Sequence, residues 1–139
     1  MKHRIYPAAA LAALLLTACG GESSAAAMQY IKSVETYDTL SDMYQNPDSY
    51  LGKQYHIVGT LYPSTDANGG KFYSVYAEDS HGDDGIGLEL DWSDFSGFAD
   101  YDRITVEGTL EKTTGNVNGV HAEYLILRCS MVEKRAEKT

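Results

Sequence analysis

Apolar and polar residues alternate most cleanly along Gly85 to Asp91. Ile86, Leu88 and Leu90 fall on one face there, and Gly87, Glu89 and Asp91 on the other. The same two-residue period runs through Lys71 to Glu78, with Tyr73, Val75 and Ala77 opposite Phe72, Ser74 and Tyr76. Three further stretches rich in β-branched and aromatic residues read as strands: Lys53 to Tyr62, Arg103 to Lys112 and Val120 to Ser130. Pro63 to Gly70, with Asn68-Gly69, and Thr114 to Gly119 are the turns between them. Upstream the period changes. Ile31, Val34, Tyr37, Leu40, Met43 and Tyr44 recur every three or four residues and predict an amphipathic helix ending at Asn46-Pro47. Its surest part is Leu40 to Gln45, with Asp38 or Thr39 to cap it. Val34 to Thr39 is poor helix material, so Gln29 to Tyr37 reads equally as helix or as an extended arm. Trp92, Phe95 and Phe98 share a three-residue spacing and predict a short helix over Trp92 to Ala99. With Tyr101 they form an aromatic patch that reads as core closing one end of the domain.

Five strands with a small helix between the third and fourth is the order of an OB-fold, a Greek-key barrel. The expected architecture is therefore mostly β: a five-stranded OB-fold-like Greek-key barrel with an N-terminal helix and that second short helix. The words Gly59-Thr60-Leu61 and Gly108-Thr109-Leu110 recur in the first and fourth strands. Glycine weakens a strand unless a bulge or close approach requires it, so the pair predicts two neighbouring strands that bend where they close the barrel.

Composition changes the picture at the N-terminus. Lys2, His3 and Arg4 precede the apolar run Ala8 to Leu16, which is too short to span a bilayer. Leu16-Thr17-Ala18-Cys19 follows, and it resembles the lipobox of bacterial lipoproteins. That resemblance implies a signal peptide at 1–18, acylation of Cys19, and anchorage on the extracytoplasmic face of a cell membrane. Residues 19–27 then read as a flexible small-residue tether and 28–139 as one domain. The chain carries 20 acidic against 11 basic residues. Without Lys2 and Arg4 the charge is about −11, which would repel a phosphate backbone, so nucleic-acid partners are not expected. With Cys19 lipidated, Cys129 has no partner and reads as a buried, inert thiol beside Leu125 and Leu127.

The order of the words sharpens a second resemblance. Met43-Tyr44-Gln45-Asn46-Pro47-Asp48-Ser49-Tyr50-Leu51-Gly52-Lys53 is followed by Val58-Gly59-Thr60-Leu61, Gly87-Leu88-Glu89-Leu90 and Ile104-Thr105-Val106-Glu107-Gly108-Thr109-Leu110. This series is similar to small OB-fold lipoproteins of Gram-positive gut bacteria, over about residues 40 to 130. In that group a cysteine pair often precedes the third strand. Asp83-Asp84 stands here instead, so no thiol role carries over, and the resemblance implies a fold and a location without an activity.

Little in the chain resembles catalytic machinery. His56, His81 and His121 are scattered and no nucleophile motif surrounds a Ser or Cys, so no enzymatic activity and no cofactor are expected. The acidic loop 78–85 holds four carboxylates and His81, but the EF-hand spacing fails, with Asp84 and Leu90 where glycine and glutamate belong. It reads as a solvated hairpin, with a metal-handling protein as the alternative function. The leading expectation is a non-catalytic binding or interaction module for an unidentified ligand or protein. Its candidate face is Phe72, Tyr76 and Glu89, on the assumption that Tyr76 pairs with Glu89. Two rings beside a carboxylate suit a sugar or a peptide. The competing expectation is that Ile31, Val34 and Tyr37 fold back over those rings.

Overall fold

The structure, a computed structural model, describes residues 27–117 and 119–136. The expected signal peptide, the Cys19 lipidation site and nearly all of the tether lie outside the described residues. Strand β1 (Met28–Tyr30) is followed by a 3-10 turn at Ser33–Glu35, helix α1 (Thr36–Gln45) and a second 3-10 turn at Pro47–Ser49. Then come β2 (Gln54–Thr65), β3 (Lys71–Glu78), β4 (Gly85–Asp91), β5 (Arg103–Val117) and β6 (Val120–Lys134). Among the described residues no helix is long and apolar enough to cross a membrane.

The sheet runs β2-β3-β4-β6-β5 and closes by pairing β5 back onto β2. All pairs around this barrel are antiparallel except β4 with β6. That is the OB-like Greek-key order, and the barrel is closed. β2 manages closure by bending. Its first half, Gln54 to Thr60, pairs with β5, and its second half, Thr60 to Thr65, pairs with β3. The free edge of the first half is taken by β1, which runs parallel from Met28 beside Gln54 to Tyr30 beside His56. The N-terminal arm is thus extended over these residues, and it covers an edge that would otherwise be unpaired.

The two Gly-Thr-Leu words are not opposite one another. Gly59 pairs with Ile104, and Gly108 with Tyr55. Each glycine has its own cause. A Cβ on Gly59 would meet Val75 Cγ2 at 2.7 Å and the Tyr76 carbonyl oxygen at 2.8 Å. Gly108 lies at a bulge, where the β5–β6 ladder passes from Glu107–Met131 to Gly108–Cys129 and leaves Ser130 over.

Tyr55, Ile57, Leu61, Val75, Leu88, Leu90, Ile104, Val106, Leu110 and Leu127 fill the interior. α1 closes one end with Leu40 and Met43, both essentially inaccessible, a burial worth about 1.5–3 kcal/mol per side chain. The helix begins at Thr36, earlier than the Asp38 or Thr39 cap expected from sequence, and no side chain caps it. Thr36 is buried and donates its hydroxyl to the Val58 carbonyl at 3.0 Å, which fixes the first turn to β2.

The expected helix over Trp92 to Ala99 is absent: these residues form irregular turns. Asp94 accepts the Ser96 N–H at 2.9 Å, and Asp102 accepts the Ala99 N–H at 2.8 Å. Such side-chain-to-backbone bonds offer the chain an alternative to the helical ladder. Trp92, Phe95 and Phe98 still pack against the core, whereas Tyr101, read from sequence with them, is 60% exposed. β5 and β6 also run past their expected ends, and their distal residues form a two-stranded arm.

Candidate functional site

β3 and β4 place their outward side chains between the β2–β3 and β5–β6 connections. The sequence assigned the faces correctly, since Val75, Leu88 and Leu90 point into the core. The register differs by two residues from the expected one. Glu89 stands opposite Ser74, and Tyr76 opposite Gly87. The shift has a steric reason: the Tyr76 ring lies across Gly85, where any Cβ would overlap it. Gly85, with no Cβ, leaves room for that ring.

Phe72 and Glu89 therefore share a site that Tyr76 does not join. They line a groove of about 370 Å³ together with Thr65, Asp66, Ala67, Asn116, Val117 and Tyr124. Phe72 and Glu89 also border a smaller adjoining depression of about 280 Å³ floored by Ile126 and walled by Trp92 and Phe95. The β2–β3 loop at its rim is fixed by Asp66, whose carboxylate accepts the N–H groups of Asn68 at 2.9 Å and Gly70 at 2.8 Å. Gly69 supplies the left-handed residue, φ +85°, that this turn requires. On the other rim the Tyr124 ring rests against Gly115.

Electrostatics in the groove centre on Glu89. Burial raises its carboxyl above the ordinary range, and the charges of Asp91 and Asp66 add to the effect. Burial likewise raises the phenols of Tyr124 and Tyr44, with the charge of Glu89 as a secondary cause. Among the described residues no hydrogen bond or ion pair reaches the Glu89 carboxylate, while neighbouring Asp91 is paired with Arg128. A half-buried acceptor without a partner between two aromatic rings can orient a hydroxyl or an ammonium group. Tyr124 was missed in the sequence, although alternation from Leu125 places it on the outer face. Asn116 and Val117 were assigned to a turn, and the extended arm carries them to the rim.

Tyr76 belongs elsewhere. It stacks on Tyr62 with centroids 4.5 Å apart and planes at 27°, and Tyr101 meets Tyr62 edge-on at 5.6 Å. The N-terminal segment does not fold over Phe72. Val34 is 86% exposed, Ile31 packs against the core, and Tyr37 donates its hydroxyl to Asp84 at 2.7 Å.

In the loop 78–85, Asp79 Oδ1 accepts the N–H groups of His81 at 3.2 Å and Asp83 at 3.0 Å. The Asp79 N–H donates to the Asp84 carbonyl, which closes the hairpin. The carboxylates of Asp79 and Asp84 are thus engaged by the turn and by Tyr37. No group of three or more His, Cys, Asp and Glu gathers among the described residues. His56 Nδ1 lies 2.6 Å from Glu107 Oε2 under the Tyr30 ring, and His121 is exposed on the arm opposite Asn116. The histidines stand on separate elements. Burial, with a smaller contribution from Asp91, pushes the Cys129 thiol up to about 12. No protein-family model and no curated protein matches this chain.

Proposed function

We propose that this chain is a lipoprotein anchored through Cys19 to the extracytoplasmic face of the cell membrane, and that its barrel is a non-catalytic binding module. The ligand site is the groove of Phe72, Glu89 and Tyr124. The observation that carries this reading is the convergence there of two aromatic walls, a half-buried carboxylate with no partner among the described residues and two polar loop rims. OB-folds take ligands at this position, across the second and third barrel strands between the loops that flank them. Rings that stack and one carboxylate that fixes orientation suit a neutral sugar or a short peptide bearing an amine.

Calorimetry of the full chain against neutral oligosaccharides and basic peptides tests the module. Binding that Phe72→Ala and Glu89→Gln each weaken by about tenfold or more supports it. Absence of binding across both panels refutes it. The anchor is tested separately: Cys19→Ser abolishes fatty-acid labelling, and a variant that still labels overturns the lipid reading. A metal-handling role for 78–85 draws no support from a loop in which Asp79 and Asp84 hold their own backbone and no three possible ligands gather among the described residues.

A further inference from the structure

Around Arg103, at the start of β5, one part of this acidic chain collects cations and open aromatic rings. Tyr101 and Arg103 are common to two adjoining depressions. One, of about 520 Å³, is lined by Thr60, Tyr62, Tyr76 and Glu78 among others. The second, of about 580 Å³, is lined by Asp102, Lys134 and Arg135. The sheet brings the two arginines together. The Arg135 N–H donates to the Arg103 carbonyl at 2.9 Å, next to the pairing of Ile104 with Lys134. Lys134 is engaged by Asp102 at 3.5 Å. The guanidinium groups are less occupied: Arg103 reaches only Thr60 Oγ1, at 3.4 Å, and Arg135 has no side-chain partner among the described residues.

Tyr101 supplies the second observation. It is the one non-glycine residue with positive φ among the described residues, at 73°, and its N–H is held by the Leu61 carbonyl at 2.8 Å. A side chain in this region costs on the order of 1 kcal/mol or more that glycine would avoid. Yet the ring is 60% exposed and returns little to the core. Tyr62 beside it is 37% exposed. A strained, solvent-facing ring in a depression shared with two guanidinium groups that have no carboxylate partner among the described residues fits a binding role better than a packing role.

We propose a second ligand site here, separate from the Phe72 groove, for an acidic sugar. A pyranose ring stacks on Tyr101 and Tyr62, its carboxylate or phosphate is held by Arg103 and Arg135, and its hydroxyls reach Thr60 and Glu78. Planar guanidinium groups pair bidentately with such anions. The concave volume matches one or two sugar units. An extended polyanion is disfavoured by the net charge of −9.

The test is calorimetry of the full chain at low salt with three probes: trigalacturonate, neutral trigalactose and inorganic phosphate. Trigalacturonate binds, and Arg103→Gln and Tyr101→Gly each weaken it about tenfold, whereas Phe72→Ala leaves it unchanged. Tyr101→Gly also keeps or raises the thermal midpoint, because glycine relieves the positive φ. A ring with only a structural role would lower the midpoint instead. In the Phe72→Ala chain, where the groove no longer contributes, equal affinity for trigalactose overturns the role of the guanidinium groups. Full competition by phosphate at equal concentration reduces the site to a simple anion sink and overturns the sugar. Absence of trigalacturonate binding overturns the site itself.

Discussion

Gly108→Ala adds one carbon at the tightest point of the barrel. That Cβ would lie 2.9 Å from both the Arg128 carbonyl carbon and the Cys129 Cα, and nearer still to the Arg128 carbonyl oxygen. These are backbone atoms of the facing strand, so no rotamer change can relieve the overlap. Overpacking typically costs about 1–3 kcal/mol, and a main-chain obstacle places this case at the upper end. Separating β5 from β6 at the bulge weakens at least one ladder hydrogen bond, worth about 1 kcal/mol. Together the loss is about 4 kcal/mol, a large share of the roughly 5–15 kcal/mol that holds a domain of this size. At about 4 °C per kcal/mol, the thermal midpoint falls by about 15 °C. Circular dichroism melts of the variant and of Gly97→Ala measure it. Gly97 has no heavy atom within 4 Å of its would-be Cβ, so its variant controls for the substitution itself and stays within about 2 °C of the parent. If Gly108→Ala melts with that control, β5 and β6 are not pinched there and the bulge is wrongly placed.

Three further outcomes follow from named side chains. Cys129, with its thiol near 12, resists maleimide at pH 8 in the folded Cys19→Ser chain and reacts on the order of a thousandfold faster in urea; similar rates would place the thiol in solvent. Hydrogen bonds from Tyr50 first and Asn46 second lower the Asp42 carboxyl below its ordinary value of 3.8, so this contribution to stability is complete above that value and is lost as pH falls through the folded value. The same contact raises Tyr50 to about 12 from 10, so its share is complete below pH 10 and lost as pH climbs toward 12; Tyr50→Phe flattens the midpoint-versus-pH curve at both ends, and an unchanged curve contradicts the pairing. Glu89 is raised chiefly by burial, so its ionisation opposes folding, progressively from the unfolded value upward; Glu89→Gln raises the midpoint at pH 7 and loses that gain below about pH 4, and a lowered midpoint at pH 7 would mean the carboxylate has a partner.

Strands β3 and β4 were legible to the residue, because strict alternation bounded by Gly, Asn and Asp leaves few other conformations for them. Alternation also fixed which side chains face outward, since a slip of one residue would have turned Val75 and Leu88 to solvent. A slip of two preserves every face, and so the sequence left it open. The choice fell to the Tyr76 ring, which needs Gly85 beneath it, and it separated Tyr76 from Glu89 while leaving Phe72 with Glu89. The aromatic spacing from Trp92 to Phe98 identified core contacts correctly but not their conformation, because Asp94 and Asp102 bond to nearby backbone in place of a helical turn. The juxtaposition of Arg103 with Arg135 lay beyond any local pattern. Thirty-odd residues separate them along the chain, and only the antiparallel return of β6 along β5 sets their backbones side by side. Local periodicity decides which way a side chain faces. Which distant side chains meet is decided by register, and register depends on the fit of rings and glycines across strands.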